Sequence, residues 1–251
     1  MTVAVVGGTG TVGALVVAEL LGRGERVAVL SRNPAGVPAG AEHRRVDLTS
    51  GEGLDLALDG VRAVVDAANS QKGAQETLVE GTRRLAEAGA RAGVANHVTI
   101  SIVGIDRVPM SYYKVKLAQE EALEAGEVPW TILRATQFHQ LVDSAFAAAA
   151  RFGVRPTGTV KVQPIDPTIV AARLAEASLA APAGRLPDIG GPRVQTLGEL
   201  SAAWATARGK HRLPLRVPAL GKTGKALAAG AICDERAATP GEDFAEWLRH
   251  E

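Results

Sequence analysis

The stretch VAVVGGTGTVG, running from Val3 to Gly13, decides how this chain is read. Three valines and an alanine form a short uncharged strand, and glycines at 7, 10 and 13 then punctuate the entry to an apolar helical pattern. The three glycines have separate tasks: a tight turn, room for a pyrophosphate against bare backbone, and close contact between helix and strand. A helix opening at such a turn offers unpaired N–H groups and a partial positive charge, which suit phosphate. Glycine turns are common, but this one follows a strand, opens a helix and begins a βαβ unit, the context of a dinucleotide site. Gly7, Gly8, Thr9, Gly10, Thr11, Val12 and Gly13 are therefore cofactor-binding candidates.

Outward from that turn, β-branched runs at residues 3–6, 26–30, 43–46, 63–67, 98–102 and 131–133 read as strands, short and apolar because both faces are covered. Helical patterns at 11–21, 73–92 and 112–125 separate them. In the second of these, Leu78, Thr82, Leu85 and Gly89 share a stripe, while Glu80, Arg83, Arg84 and Glu87 lie on other faces. The alternation predicts an α/β fold, a Rossmann-type doubly wound parallel sheet. It fades after Phe138. Residues 1–138 read as the NAD(P)-binding domain, and the proline-broken, helix-rich residues 139–251 as a smaller substrate region interleaved with it. Two helix starts are marked there, a capping box at Thr196 to Glu199 and a second at Thr239 to Glu242 with Pro240 in the first turn.

Composition narrows the function. With 46% apolar and 22% charged residues and a formal net charge of +1, the chain is expected to be soluble, with no overall handle for nucleic acid or an anionic membrane. The residues after Met1 lack a leader's basic stretch and apolar run, and no segment has the length to span a bilayer, so a cytoplasmic location is expected. Cys233 is the only cysteine and reads as a buried packing residue in a reducing compartment. The histidines 43, 97, 211 and 250 show no ligand spacing, and no metal is expected. The three tryptophans suit core packing.

An acid closing the second strand would bind the adenosine ribose of NAD. This chain has Ser31-Arg32 there instead. A guanidinium can pair with a 2′-phosphate and a hydroxyl can add a donor, so NADPH is expected over NADH. Asp47 and Leu48, after the third strand, are placed for the adenine. Ala67, Ala68 and Asn69, after the fourth, flank the middle of the cofactor.

The segment SYYKVKL, residues 111–117, holds both tyrosines. At about 100° per residue, Val115, Ala118 and Ala122 mark a buried stripe, with Tyr112 and Lys116 together along its edge and Tyr113 further round. Lys116 lies within about 60° of both tyrosines. Together with GGTGTVG, Arg32, SIVG at 101–104, TILRATQF at 131–138 and DIGGPR at 188–193, this segment resembles the short-chain dehydrogenase/reductase superfamily, in its atypical, NmrA-like, NAD(P)H-binding branch. The resemblance runs nearly end to end. It implies that Lys116 binds the nicotinamide ribose and lowers the pKa of a tyrosine, that Tyr112 protonates the substrate oxygen, and that Ser101 holds that oxygen by a hydrogen bond. It also implies that Ala135, Thr136 and Phe138 pass the nicotinamide, with His139 the histidine best placed for the pocket.

The expected function is NADPH-dependent reduction of a carbonyl, quinone or other conjugated acceptor by hydride transfer. The alternative is a non-catalytic protein that senses NADP(H) for a partner, and a quinone or azo reductase needing no tyrosine is a third possibility. A small-molecule substrate is expected as partner, without nucleic acid or membrane, in a monomer or homodimer.

Overall fold

The computed structural model describes residues 1–70, 72–209 and 212–250, so His211 lies outside the described residues. The chain divides into two compact units. The first comprises Met1–Ser101, Ser111–Leu133 and Pro167–Leu186; the second comprises Ile102–Met110, Arg134–Asp166 and the chain from Pro187 onward.

The first unit is built on seven strands: β1 (Thr2–Val6), β2 (Arg26–Ser31), β3 (Glu42–Arg45), β4 (Ala63–Asp66), β5 (Asn96–Ile102), β6 (Trp130–Ala135) and the two-residue β9 (Gly184–Arg185). Their order is β3-β2-β1-β4-β5-β6-β9, a parallel sheet of Rossmann type. From β1 the chain steps outward to β2 and β3, then returns to β4 on the other side. The carboxyl ends of β1 and β4 thus flank the topological switch point, where open α/β sheets hold their ligands.

Helices α1 (Thr11–Gly22), α3 (Gly81–Ala92) and α4 (Ser111–Glu124) cover this sheet, with a short α2 (Leu54–Ala57) before β4. The stripe expected at Leu78, Thr82, Leu85 and Gly89 is buried. The helix carrying it begins as a wide π turn over Gln75–Glu80 before tightening into α3. A core of Ala4, Val6, Ala28, Leu30, Val64 and Leu85 fills the space beneath. Burying the valines and leucines among them stabilises by about 1.5–3 kcal/mol each, and this sets the sheet's register.

Two expectations need correction. Strand β3, Glu-His-Arg-Arg, is an edge strand and not an apolar strand covered on both faces; its side chains stay exposed or half-buried. Charged residues at a sheet edge also guard it against pairing with other chains. The alternation also does not end at Phe138. Helix α6 (Pro167–Leu179) packs along α1 and leads to β9, which pairs with β6 in parallel. A strand of two residues has no periodicity to read.

In the second unit, α5 (His139–Ala150), α7 (Leu197–Ala207) and α9 (Phe244–Trp247) bury Val142, Phe146, Leu200, Trp204, Phe244 and Trp247 in one core. Beside them lie two small sheets: β7 (Val154–Thr157) parallel to β11 (Leu213–Arg216), and β8 (Lys161–Val162) antiparallel to β10 (Gln195–Thr196). Helix α8 (Gly221–Ala228) follows β11. The Thr196–Glu199 capping box is formed, with both reciprocal bonds present. The second helix start shifts. Asp243 caps α9 in its own box with Glu246, while the Thr239 hydroxyl donates to the Gly190 carbonyl at 2.8 Å. Among the described residues no helix is long and apolar enough to cross a membrane.

Candidate functional site

At the end of β1 the glycines are used as bare backbone. Gly7 sits at φ 70°, in the left-handed region, and a Cβ there would lie 2.7 Å from the Ala67 carbonyl oxygen at the end of β4. A Cβ on Gly13 would lie 2.1 Å from the Gly7 oxygen, so only glycine lets the helix approach the turn. Gly10 closes the turn, donating to Gly7 O at 2.9 Å, and serves as N-cap of α1. It has no side chain to cap the helix, and Thr9, Gly10 and Thr11 are exposed. The first N–H groups of α1 therefore face outward over a cradle a side chain would fill, which fits the pyrophosphate of a dinucleotide.

At the adenosine end, Arg32 is exposed, and among the described residues its guanidinium has no hydrogen-bond or ion-pair partner. Ser31 is already engaged. Its hydroxyl donates to Asn33 O at 2.7 Å, and His43 Nε2 lies 3.1 Å from both Ser31 O and Ser31 Oγ. With the serine proton committed to Asn33, the imidazole acts as donor, a partner the sequence reading passed over. The register pairs Val29 with His43 and Ser31 with Arg45, so β3 supplies basic side chains beside the end of β2. Asp47 folds onto Thr49, accepting from its amide at 2.9 Å and its hydroxyl at 2.7 Å, and these bonds hold its carboxyl below the usual range. Leu48 is half-buried against the core and gives its carbonyl to Arg84.

Beyond β4, Ala67 caps the glycine cradle and the Ala68 amide donates to Asp66 Oδ1 at 3.0 Å. Asn69 is exposed and accepts from the Tyr112 hydroxyl at 2.7 Å. Burial raises the Tyr112 pKa, keeping the phenol protonated around neutrality.

Helix α4 turns differently from the expectation. Its buried face is Tyr113, Lys116, Gln119, Glu120, Ala122 and Leu123, while Val115 and Ala118 are only half-buried. Lys116 is thus no solvated neighbour. It is 4% exposed, with Nζ donating to Ile100 O at 2.9 Å and Gln119 Oε1 at 2.6 Å. The Gln119 amide donates in turn to Asp66 Oδ2 at 3.2 Å and Thr82 Oγ1 at 3.1 Å, and the Thr82 hydroxyl donates to the same carboxylate oxygen. Burial lowers the Lys116 pKa to about 8, with Asp66 and Glu120 opposing the fall. Spacing pointed to Lys116; Gln119 and Asp66 emerge only from the packing, though an acid closing the apolar run Ala63-Val-Val-Asp66 was a signal. Burial keeps nearby His97 neutral. Among the described residues Ser101 Oγ is buried without a hydrogen-bond partner, a cost of about 1–3 kcal/mol that Thr99 Oγ1 on the same strand shares.

The remaining candidates lie in the second unit, where two of the quoted motifs lie side by side. Ile189 N donates to Arg134 O and Thr136 N to Ile189 O, each at 3.0 Å, and Ala135 bridges Ile189. Buried Thr136 accepts from Gly191 N, and Phe138 bridges Ile165 and caps α5. The glycine pair exists because Gln163 and Pro164 press on it: a Cβ on Gly190 would meet Gln163 Nε2 at 2.6 Å, and one on Gly191 would meet Pro164 O at 1.6 Å. His139 is fully buried, stacked 5.4 Å from Trp247, with Nε2 3.2 Å from Glu242 O, a core position and not a pocket wall. Cys233 is buried and its thiol is pushed up to about 11 by desolvation, which makes it unreactive. Among the described residues no three His, Cys, Asp or Glu side chains are grouped to hold a metal.

Comparison with known proteins agrees with this geometry. The NAD(P)H-binding family model matches residues 7–177. The chain belongs to that family. It is 30% identical over 149 residues to the photosystem II assembly factor Ycf39 of Trieres chinensis, a match covering 56% of this chain and 47% of that protein. A 35% identical match to a 3-beta-hydroxysteroid dehydrogenase of Mycolicibacterium neoaurum covers 38% of this chain and 30% of that one. The chain thus spans about half the length, or less, of the curated relatives it matches. Among solved structures, the NADPH complex of the quinone oxidoreductase QOR2 of Escherichia coli superposes with a TM-score of 0.84 at 21% identity, covering 99% of both chains. The triphenylmethane reductase of Citrobacter sp. superposes at 0.74 with 20% identity, covering 99% of this chain and 94% of that one.

Proposed function

We propose that the protein is an NADPH-dependent oxidoreductase that reduces a small carbonyl, quinone or other conjugated acceptor. The observation that carries this reading is the Tyr112 hydroxyl hydrogen-bonded to Asn69: a protonated donor, half-exposed, at the carboxyl end of β4 beside the glycine cradle. The residues that would hold the cofactor are Gly7 to Gly13 for the pyrophosphate, Arg32 for the 2′-phosphate, with the Ser31 hydroxyl joining it once turned from Asn33 O, and Asn69 near its middle. When bound, the nicotinamide supplies the hydride. Tyr112 then gives its proton to the acceptor oxygen and is reprotonated from solvent. Lys116 keeps a positive charge behind the tyrosine's helix, held by Ile100 O and Gln119, and Ser101 brings an uncommitted hydroxyl. The solved relatives named for quinone and triphenylmethane reduction support the conjugated acceptors.

The test is NADPH oxidation over ketones, enones and quinones, comparing wild type with Tyr112→Phe. Loss of about 10²–10⁴-fold in kcat with the carbonyl acceptor, at unchanged NADPH affinity, supports Tyr112 as the proton donor. Retained turnover with quinones alone assigns the chemistry to acceptors that solvent can protonate.

A second reading rests on a different observation. Lys116 donates to two internal partners, Ile100 O and Gln119 Oε1, so the spacing Tyr112 to Lys116 has a structural explanation, and a curated relative is named an assembly factor. On that reading the protein senses NADP(H) without turnover. Tight binding of both cofactor forms with no oxidation of NADPH across the panel favours it.

A further inference from the structure

The net charge of +1 hides a strongly one-sided stretch. From Leu200 to Cys233 the sequence has six lysines and arginines, at 208, 210, 212, 216, 222 and 225, and no aspartate or glutamate. Most arginines elsewhere, such as Arg44, Arg91, Arg173 and Arg185, sit against carboxylates. Arg212, Arg216, Lys222 and Lys225 are exposed and, among the described residues, have no ion-pair partner.

The middle of this stretch, from Leu213 to Leu220, leaves its apolar residues uncovered. All four residues of β11 are exposed, and α8 buries none of its side chains. Leu213, Leu215 and Val217 alternate along the strand and so share one face, at 74%, 55% and 37% exposure. Leu220 is 74% exposed, and Phe152, just before the strand that pairs with β11, is 85% exposed. An exposed apolar row in a stretch whose only charges are cations has a reason to be covered.

The backbone narrows what can cover it. Leu213 N donates to Gly153 O and Val217 N to Thr157 O, so the odd-numbered residues face β7 and Pro214, Arg216 and Pro218 face the open edge. Two of those three outward positions are prolines without an N–H, which blocks strand addition by another chain. A second copy docking on the same patch would bring these cations against themselves. We propose that this face of the second unit rests on an anionic lipid surface. Leu213, Leu215, Leu220 and Phe152 enter the headgroup boundary, while the lysines and arginines meet lipid phosphates. The proposal is independent of the oxidoreductase reading.

Flotation of the full chain with phosphatidylcholine vesicles, with and without phosphatidylglycerol, tests it. Recovery with the anionic vesicles should fall in high salt. Each exposed cation near such a surface is worth about fivefold in affinity, so Arg212→Gln with Arg216→Gln should lower partitioning about 25-fold. Leu213→Ser with Leu215→Ser should abolish it, while NADPH binding, as the check on folding, stays unchanged. Equal recovery with neutral and anionic vesicles, or none with either, overturns the proposal. So does sedimentation showing a dimer that Leu215→Ser makes monomeric, which assigns the face to a second copy. Capture on immobilised polyglutamate without vesicle binding assigns it to an acidic protein and overturns the lipid.

Discussion

The Tyr112 hydroxyl donates to the Asn69 side-chain oxygen at 2.7 Å, joining the first turn of α4 to the loop after β4. The bond aims the phenol along the carboxyl edge of the sheet. The helix itself sets Tyr112 about 100° round from Tyr113, which lies in the buried face. Asn69→Ala should therefore lower kcat with a carbonyl acceptor by about tenfold at saturating NADPH through lost orientation of Tyr112, and a Tyr112→Phe background should remove that further loss.

The glycines of the cradle should separate into fold and site. Gly13→Ala sets a Cβ 2.1 Å from Gly7 O and should cost at least about 1–3 kcal/mol in urea unfolding. Gly10→Ala adds a Cβ 3.3 Å from the same oxygen, at an ordinary φ of −85°, and should leave stability within about 1 kcal/mol. Its effect belongs to NADPH binding, read by titration calorimetry, because the new methyl stands over the helix start.

Arg32 is an exposed cation at the end of β2 that has no ion pair among the described residues, its charge felt by Asp47, so Arg32→Ala should weaken NADPH by about 10–100-fold, the worth of a hydrogen bond to a charged group, and leave NADH unchanged. Equal loss for both cofactors would move the arginine from 2′-phosphate recognition to general folding.

Lys116 gives a pH signature whose sign follows from its depressed pKa. Its ordinary value is 10.5 and burial brings it to about 8. Below pH 8 the buried ammonium costs stability in full. Between those two values the unfolded chain binds more protons than the folded one, so this group's contribution to stability rises with pH, by at most about 1.4 kcal/mol per unit. Thermal melts from about pH 7 to about pH 9 should show wild type gaining relative to Lys116→Met. Parallel curves would mean that the ammonium is not held in a dry site.

In the second unit Gln163 is fully buried, donating to Gly191 O at 2.8 Å and Asp234 O at 3.1 Å and accepting from Asp234 N at 2.8 Å. Gln163→Leu leaves those backbone groups unpaired and should destabilise by about 2–5 kcal/mol, read as a lower Tm. Gln163→Glu keeps the acceptor but sets a buried carboxylate oxygen against the Gly191 and Asp234 carbonyls, so it should not recover the loss.

The sequence by itself determined the parallel sheet, the glycine cradle and the absence of an acid after β2. Each is written locally, in strand and helix periods and in backbone only glycine can adopt. Tertiary structure alone decided the rest. It turned α4 so that Lys116 faces Gln119 and Asp66, which are distant or unremarkable along the chain, and it stacked His139 on Trp247. It brought Gln163 to the glycine pair, and it left β11 bare on both faces. Burial and charge pairing are properties of what packs against a residue, and a one-dimensional pattern holds only half of each such pair.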